Sequence, residues 1–283
     1  MEKLPADYEH RRLSGLPIAV VDTETTGLHP GLGHRVVEVA VLRLENMREV
    51  AYLSYLVNPG RAMDPGASRV NGITDDDLVD APPFAAILPE LDQLLRGTVI
   101  VAHNAAFDAG FLGLEYHLAQ KTTEDQKAPT VQLDNPWLCT MRLARQFFYF
   151  RRNSLGNIAM ELGVRANQAH RALNDVYTTS AILKRMLAEL RKMGFHTAGD
   201  LLHAQGGPIY PPPPPRQLLD PAIADALDRQ STLHILYRSQ KGSTERVIRP
   251  QYVTEYKGQI YLIAYCILRQ AQRTFRLDRI QII

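Results

Sequence analysis

The stretch AVVDTETTGL, Ala19 to Leu28, decides how the chain is read. The run Ile18-Ala19-Val20-Val21 is strand-forming, and two carboxylates, Asp22 and Glu24, follow where it stops. Alternation along an extended chain sends residues i and i+2 to one face, so both acids point the same way. Their repulsion is relieved by a proton, by basic side chains or by a divalent cation, unless the strand end is simply solvated. The Thr25-Thr26-Gly27 that follows supplies hydroxyls and a backbone that a ligand can approach closely.

Further acids occur at the edges of other elements. TVIVAHNAAFDAGFL reads as a buried strand leading into a helix, with Asn104 as N-cap and Asp108 in the first turns beside Phe107 and Phe111. An acid there also suits the helix dipole without any ligand. In NQAHRALNDVYTTSAILKRML, Ala172, Val176, Ile182 and Leu183 form an amphipathic helix face. His170 and Asp175 are about 140° apart on an ideal helix, so they share one site only if the helix starts between them. Four acids and a histidine, each at an element boundary, point to a metal-dependent site.

Composition bounds the rest. The chain has 283 residues, 45% of them apolar, enough for a core and a division into a larger and a smaller domain. Its net charge of +2 makes any nucleic-acid footprint local. Two segments offer one, MRLARQFFYFRRN with Arg142, Arg145, Arg151 and Arg152, and the tail with Arg269, Arg273, Arg276 and Arg279; each also fits a solvated face. Cys139 and Cys266 are isolated, which points to a reducing compartment without a zinc site. The start MEKLPADYEHRRL lacks a signal-peptide core, and no apolar run reaches the ~18 residues of a membrane span, so a cytoplasmic protein without membrane partners is expected.

Strands are expected near 17–22, 36–44, 50–57 and 98–102, with helices near 83–96, from 105, and near 140–149, 155–162 and 170–192. This alternation describes an α/β mixed sheet with helices on its faces. The prolines Pro211 to Pro215 mark either a stiff spacer or a docking motif. Beyond them, LHILYR, RVIRPQYVTEY, QIYLIAYCIL and RTFRLDRI read as a small all-β unit. The domains are therefore 1–193, a Pro-rich linker at 194–221, and 222–283.

The order D-x-E, H-N-x-x-F-D, H-x-A-x-x-D resembles the DEDDh (DnaQ-like) 3'-to-5' exonucleases over roughly residues 15–192. HRVVEVAVLRL, VNGITDDDL and NSLGNIAMELGV are similar to that family's second strand, V-H-G-I-T segment and S-L-x-x-L helix, with Asn71 standing where histidine is common. The resemblance implies an RNase-H-like mixed sheet flanked by helices. It implies that Asp22, Glu24, Asp108 and Asp175 hold two Mg²⁺ or Mn²⁺ ions while His170 takes a proton from water. It also implies that Thr25, Gly27 and Leu28 lie against the terminal nucleotide, with His103, Asn104 and Phe107 on its other side.

Residues 231–283 resemble a WYL domain, an Sm-like or SH3-like barrel; Ile260-Tyr261-Leu262 replaces the naming tripeptide, and FRLDRI matches well. That likeness implies a nucleic-acid or nucleotide-like ligand at Tyr261, Arg273, Arg276 and Arg279. Some 60 residues make a marginal independent fold, so this part is expected to lean on the exonuclease or on a second copy of the chain, as in a homodimer. The function expected is exonucleolytic release of nucleoside monophosphates, from single-stranded DNA first, in bacterial repair or defence. An exoribonuclease on the same scaffold and a nucleic-acid-responsive regulator that only binds are the alternatives.

Overall fold

The computed structural model describes residues 4–122, 133–165, 170–213, 219–239, 242–256 and 258–283. In chain order, β1 (Ile18–Thr25), β2 (Val36–Glu45) and β3 (Arg48–Leu56) precede the short helices α1 (Pro65–Asn71) and α2 (Asp75–Leu78). Next come α3 (Phe84–Leu95), β4 (Val99–Ala102), α4 (Ala105–Thr122), β5 (Trp137–Cys139) and α5 (Thr140–Phe147). Then follow α6 (Leu155–Glu161), α7 (Ala172–Lys192), α8 (Ala198–Ala204) and α9 (Pro221–Asp228). The strands β6 (Leu233–Ser239), β7 (Gly242–Tyr256), β8 (Gln259–Cys266), β9 (Ala271–Arg276) and β10 (Ile280–Ile282) complete the chain.

Two compact units result. The first is Met1–Glu24, Val36–Val57 and Ala81–Pro214; the second is Thr25–Arg35, Asn58–Asp80 and Pro215–Ile283.

The first unit is built on a five-stranded mixed sheet in the order β3-β2-β1-β4-β5. β2 and β3 are antiparallel, whereas β1 with β4 and β4 with β5 are parallel. Period-two alternation divides β1 between two cores. Ile18 and Val20 join the cluster of α5, α6, α7 and α8, and Ala19 and Val21 join that of α3 and α4. All four side chains are fully buried, so the strand leading to Asp22 is fixed from both faces. β5 was not anticipated from the sequence, since three residues are too short for a periodic signal.

Within 194–221, the span expected to be linker, the first part packs into this unit. Thr197 and Asp200 form a capping box on α8, and Ala198, Leu201 and Leu202 are buried. Ile209 bridges Trp137, and Gln205 accepts from the Cys139 backbone N–H at 2.6 Å. Pro214 and Pro215 of the proline run lie outside the described residues.

The second unit holds a five-stranded sheet in the order β10-β6-β7-β8-β9, in which each neighbouring pair is antiparallel. Its apolar core joins Ile235, Ile248, Val253, Leu262 and Phe275 to Leu32, a residue of the Thr25–Arg35 segment. His34 of that segment is buried. Its Nδ1 lies 3.0 Å from the Thr26 hydroxyl and its Nε2 3.2 Å from the Val253 carbonyl. A carbonyl only accepts, so Nε2 carries the hydrogen and Nδ1 accepts from Thr26. Burial, with Arg61 nearby, lowers the His34 pKa to about 3, so the ring stays neutral.

Gly27 packs against the same ring, because a Cβ there would stand 2.5 Å from Nδ1 and 2.6 Å from Nε2. Gly27→Ala must therefore expel the imidazole and break its bonds to Thr26 and Val253, costing ~1–3 kcal/mol. In a His34→Ala background the same change should cost much less. A double-mutant cycle of denaturant unfolding should return a coupling of at least ~0.5 kcal/mol, and additive losses would show that the ring is not what excludes a side chain at 27.

Candidate active site

The C-terminal end of β1 places Asp22 and Glu24 on the side of α7, two residues on from Val20, and Thr23 on the side of α4. From α4, Asp108 reaches back to that strand. Its Oδ1 accepts from the Thr23 backbone N–H at 3.0 Å and from the Thr23 hydroxyl at 2.9 Å. From the other side, α7 begins at Ala172, so the helix starts between His170 and Asp175 as their sharing of a site requires. His170 takes a left-handed backbone, φ 63°, and its N–H donates to Asp175 Oδ2 at 3.2 Å. Ligand atoms of Glu24, His170 and Asp175 lie within 4.8 Å of one another.

Electrostatics extend the cluster to the other two acids. Asp22 is held well above the ordinary carboxylate range, first by burial and then by the charges of Asp108, Asp175, Glu24 and Glu38. Burial raises Asp108 to about 7 even though the Thr23 bonds favour its charged form. Asp175 is raised by burial, against the pull of His170. Carboxylates crowded in this way, with an imidazole beside them, are a donor set that could hold a divalent metal ion. The thiols Cys139 and Cys266 are both free and buried.

Two supports escaped the sequence reading. Glu38 in β2 is buried, receives the Arg171 guanidinium at 2.9 Å, and accepts from the Ala172 N–H at 3.0 Å. It thereby caps α7, whose own N-cap Arg171 provides no side-chain cap, and pins the residue after His170. The signal was a lone acid inside VVEVAV, an apolar run where a carboxylate needs a partner. Thr23 is the second, visible only as the residue between the two acids.

The expected nucleotide-lining residues divide into exposed and supporting ones. In the first unit Asn104 is exposed and Phe107 half-buried against Phe111, centroids 4.8 Å apart. His103 is buried, with Nδ1 2.9 Å from the Thr140 hydroxyl and Nε2 2.9 Å from the Asn153 carbonyl. Both ring nitrogens are thus engaged within the fold, and burial lowers its pKa with Arg145 adding to the effect. In the second unit Leu28 is 72% exposed, while Thr25 is buried with its hydroxyl donating to the Gly27 carbonyl. Asn71 is also buried and reaches the Thr25 carbonyl at 3.4 Å.

Of the residues singled out on the C-terminal sheet, Tyr261 and Arg276 are directly paired across β8 and β9. Arg273 pairs with Ala264 and is exposed. Arg276 is committed to Asp278, and Arg279 lines a separate open cleft of about 950 Å³ with Arg238 and Asp220. Arg273 and Arg276, three apart on β9, point to opposite faces of the sheet.

Residues 19–183 match the family described as "Exonuclease", well over half the chain. The chain belongs to that exonuclease family. Residues 221–283 match the family described as "WYL domain". A DNA polymerase III subunit epsilon of Treponema pallidum (strain Nichols) is 33% identical over 191 residues, 66% of this chain and 83% of that protein. A DNA polymerase III subunit epsilon-like protein of Rhodobacter capsulatus is 35% identical over 195 residues, but the chain spans only 26% of its length. Among solved structures, "Exonuclease X in complex with 5' overhanging duplex DNA" aligns with TM-score 0.50 and 27% identity, over 67% of this chain and 99% of that one. The mixed sheet of the first unit is thus the RNase-H-like exonuclease fold, and the chain is an enzyme of the 3'-to-5' exonuclease class. Among the described residues, no helix is long and apolar enough to cross a membrane.

The raised pKa of Asp108 has a thermodynamic sign. The unfolded carboxyl ionises near 3.8 and the folded one near 7, so metal-free stability falls as pH rises through that window. Asp108→Asn keeps an acceptor for Thr23 and removes the charge. In chelator it should raise the melting temperature, by more at pH 8 than at pH 5, and with excess Mg²⁺ the advantage should shrink because only the wild type gains. An equal gain at both pH values would show that Asp108 is not the strained group.

Proposed function

We propose that the chain releases nucleoside 5'-monophosphates from the 3' end of nucleic acid, single-stranded DNA foremost, in repair or defence of bacterial DNA. The observation that carries this reading is the convergence of Glu24, His170 and Asp175 around the strand end that also bears Asp22. Asp22, Glu24, Asp108 and Asp175 would hold two Mg²⁺ or Mn²⁺ ions. Bound there, such ions supply Lewis-acid stabilisation of phosphate charge and lower the pKa of water.

His170, exposed at the mouth of the cluster, takes a proton from the attacking water. That water's oxygen bonds to phosphorus as the bond to the 3' oxygen breaks, and the departing oxygen takes a proton from solvent, leaving a shortened strand with a 3' hydroxyl while His170 later returns its proton to solvent. Asp175 holds the His170 backbone, and Glu38 with Arg171 holds the next residue, so the base is fixed on both sides. Within the first unit, Asn104 and Phe107 would offer surface to the terminal nucleotide, while His103 shapes their loop from beneath. The WYL domain's contribution on this reading is a nucleotide-like or strand ligand near Tyr261 and Arg276.

Matched 3'-labelled and 5'-labelled DNA and RNA oligomers, digested with Mg²⁺ or Mn²⁺, test polarity and substrate together. Mononucleotide should appear first from the 3' label and faster from DNA; faster release from RNA would make the chain an exoribonuclease. Asp22→Ala, Glu24→Ala, Asp108→Ala and Asp175→Ala should each nearly abolish turnover, and their losses should not add. Undiminished hydrolysis in excess chelator would overturn the metal-dependent reading.

His170→Ala should lower the rate by ~100- to 10,000-fold and recover partly as pH rises and hydroxide replaces the base. Wild-type speed near pH 7 would return His170 to a purely structural role.

A further inference from the structure

The segment FFYFRRN, Phe147 to Asn153, is basic, aromatic and unused by the site described above. Its backbone leaves α5 in extended form at Phe148, φ −129° and ψ 142°. Alternation then turns Phe148 and Phe150 inward, where both pack against the apolar core with rings stacked 5.3 Å apart and 4° from parallel. Tyr149 between them turns outward and is completely exposed, with a relative accessibility of 105%.

This exposed ring is held on a fixed backbone. The Arg151 N–H donates to a Glu161 carboxylate oxygen at 3.0 Å, and the Asn153 carbonyl accepts from His103 Nε2 at 2.9 Å. His103 is the first of the two residues between β4 and α4, five before Asp108, and Thr140 at the start of α5 holds its other nitrogen. One imidazole therefore joins this segment to the loop that leads into the acid cluster.

Glu161, whose carboxylate accepts the Arg151 N–H, brings one negative charge to this segment, but every charged residue from 142 to 153 is an arginine. Arg142 and Arg145 stand one turn apart on α5, Arg151 and Arg152 follow the aromatic run, and all four are exposed. None of them makes an ion pair among the described residues, and the charge of Arg145 is felt at His103. An unstacked aromatic ring among guanidinium groups fits a chain of bases joined by phosphates, because every base has a face to stack and every linkage a charge to pair.

We propose that Tyr149, Arg151 and Arg152 form a binding site for the single strand upstream of the terminal nucleotide, Tyr149 stacking on a base and the arginines pairing with phosphates. The site rests on the exonuclease reading for its purpose but not for its measurement. It names the substrate as a strand several nucleotides long, gripped beyond the residue being removed.

The test uses the full chain and fluorescence anisotropy of a labelled 12-nucleotide oligothymidylate in chelator, so that binding is read without hydrolysis. Tyr149→Ala should weaken binding by ~5- to 100-fold, whereas Tyr149→Phe, which keeps the stacking face, should stay close to wild type. Arg151→Ala with Arg152→Ala should lower the slope of log affinity against log salt by about 1.4. Hydrolysis of a chromogenic aryl ester of thymidine 5'-monophosphate, with Mn²⁺, should be unchanged in all these variants. Wild-type affinity in Tyr149→Ala, or an unaltered salt slope in the arginine variant, would overturn the strand site. Failure of the wild type to cleave the small ester or any oligomer would overturn the exonuclease reading, leaving the binding result to stand by itself. Equal melting temperatures would separate a lost contact from a lost fold.

Discussion

The arrangement of the first unit turns on the repulsion among acids around Asp22. Its carboxyl lies within the influence of Asp108, Asp175, Glu24 and Glu38. At an effective dielectric near 20, two like charges 4 Å apart cost about 4 kcal/mol, comparable to the gain from burying two apolar side chains. Such a site survives only at the edge of a large core. The fully buried Ile18, Ala19, Val20 and Val21 supply that rigidity through the sheet, and the acids are all brought to the ends of elements anchored there. A proton or a cation relieves the repulsion, which ties the folded state to whatever occupies the cluster.

Each face of β1 meets the constraint in its own way. Toward α4, Thr23 donates twice to Asp108 and so favours the charged form that burial opposes. Toward α7, Glu38 takes the Arg171 guanidinium and the Ala172 N–H, which turns one acid into a helix cap and leaves His170 on a constrained, left-handed residue. Neither Thr23 nor Glu38 needs to touch substrate to matter. They determine where the oxygens and the imidazole stand.

How much of this was legible in the sequence follows from the range of the forces involved. Asp22 and Glu24 could be placed on one face because alternation is local, and His170 with Asp175 because a helix start is local too. Both expectations agree with β1 and with α7 starting at Ala172. Glu38 was hidden, because its partner Arg171 is 133 residues away and nothing in VVEVAV names it. His103 was expected to face a nucleotide, yet its ring is taken up by Thr140 and by Asn153, 50 residues on. β5 is too short to carry a period, and α8 lies in a stretch whose glycines and prolines suggested only a spacer.

The second unit shows what a small β domain does when its own surface cannot enclose a sufficient core. The 63-residue span that matches the WYL family takes Leu32 into its apolar cluster and fixes His34 through the Val253 carbonyl. Both residues come from Thr25–Arg35, the segment that begins one residue after Glu24. His34 in turn holds the Thr26 hydroxyl and occupies the space that makes residue 27 a glycine. Because the buried ring is neutral, this linkage depends on hydrogen-bond geometry and packing rather than charge, so salt will not loosen it. One buried ring bonds to both the Val253 carbonyl of β7 and the Thr26 hydroxyl and packs against Gly27. The WYL domain thus contributes to the backbone that follows the first pair of acids whether or not it ever binds a ligand of its own.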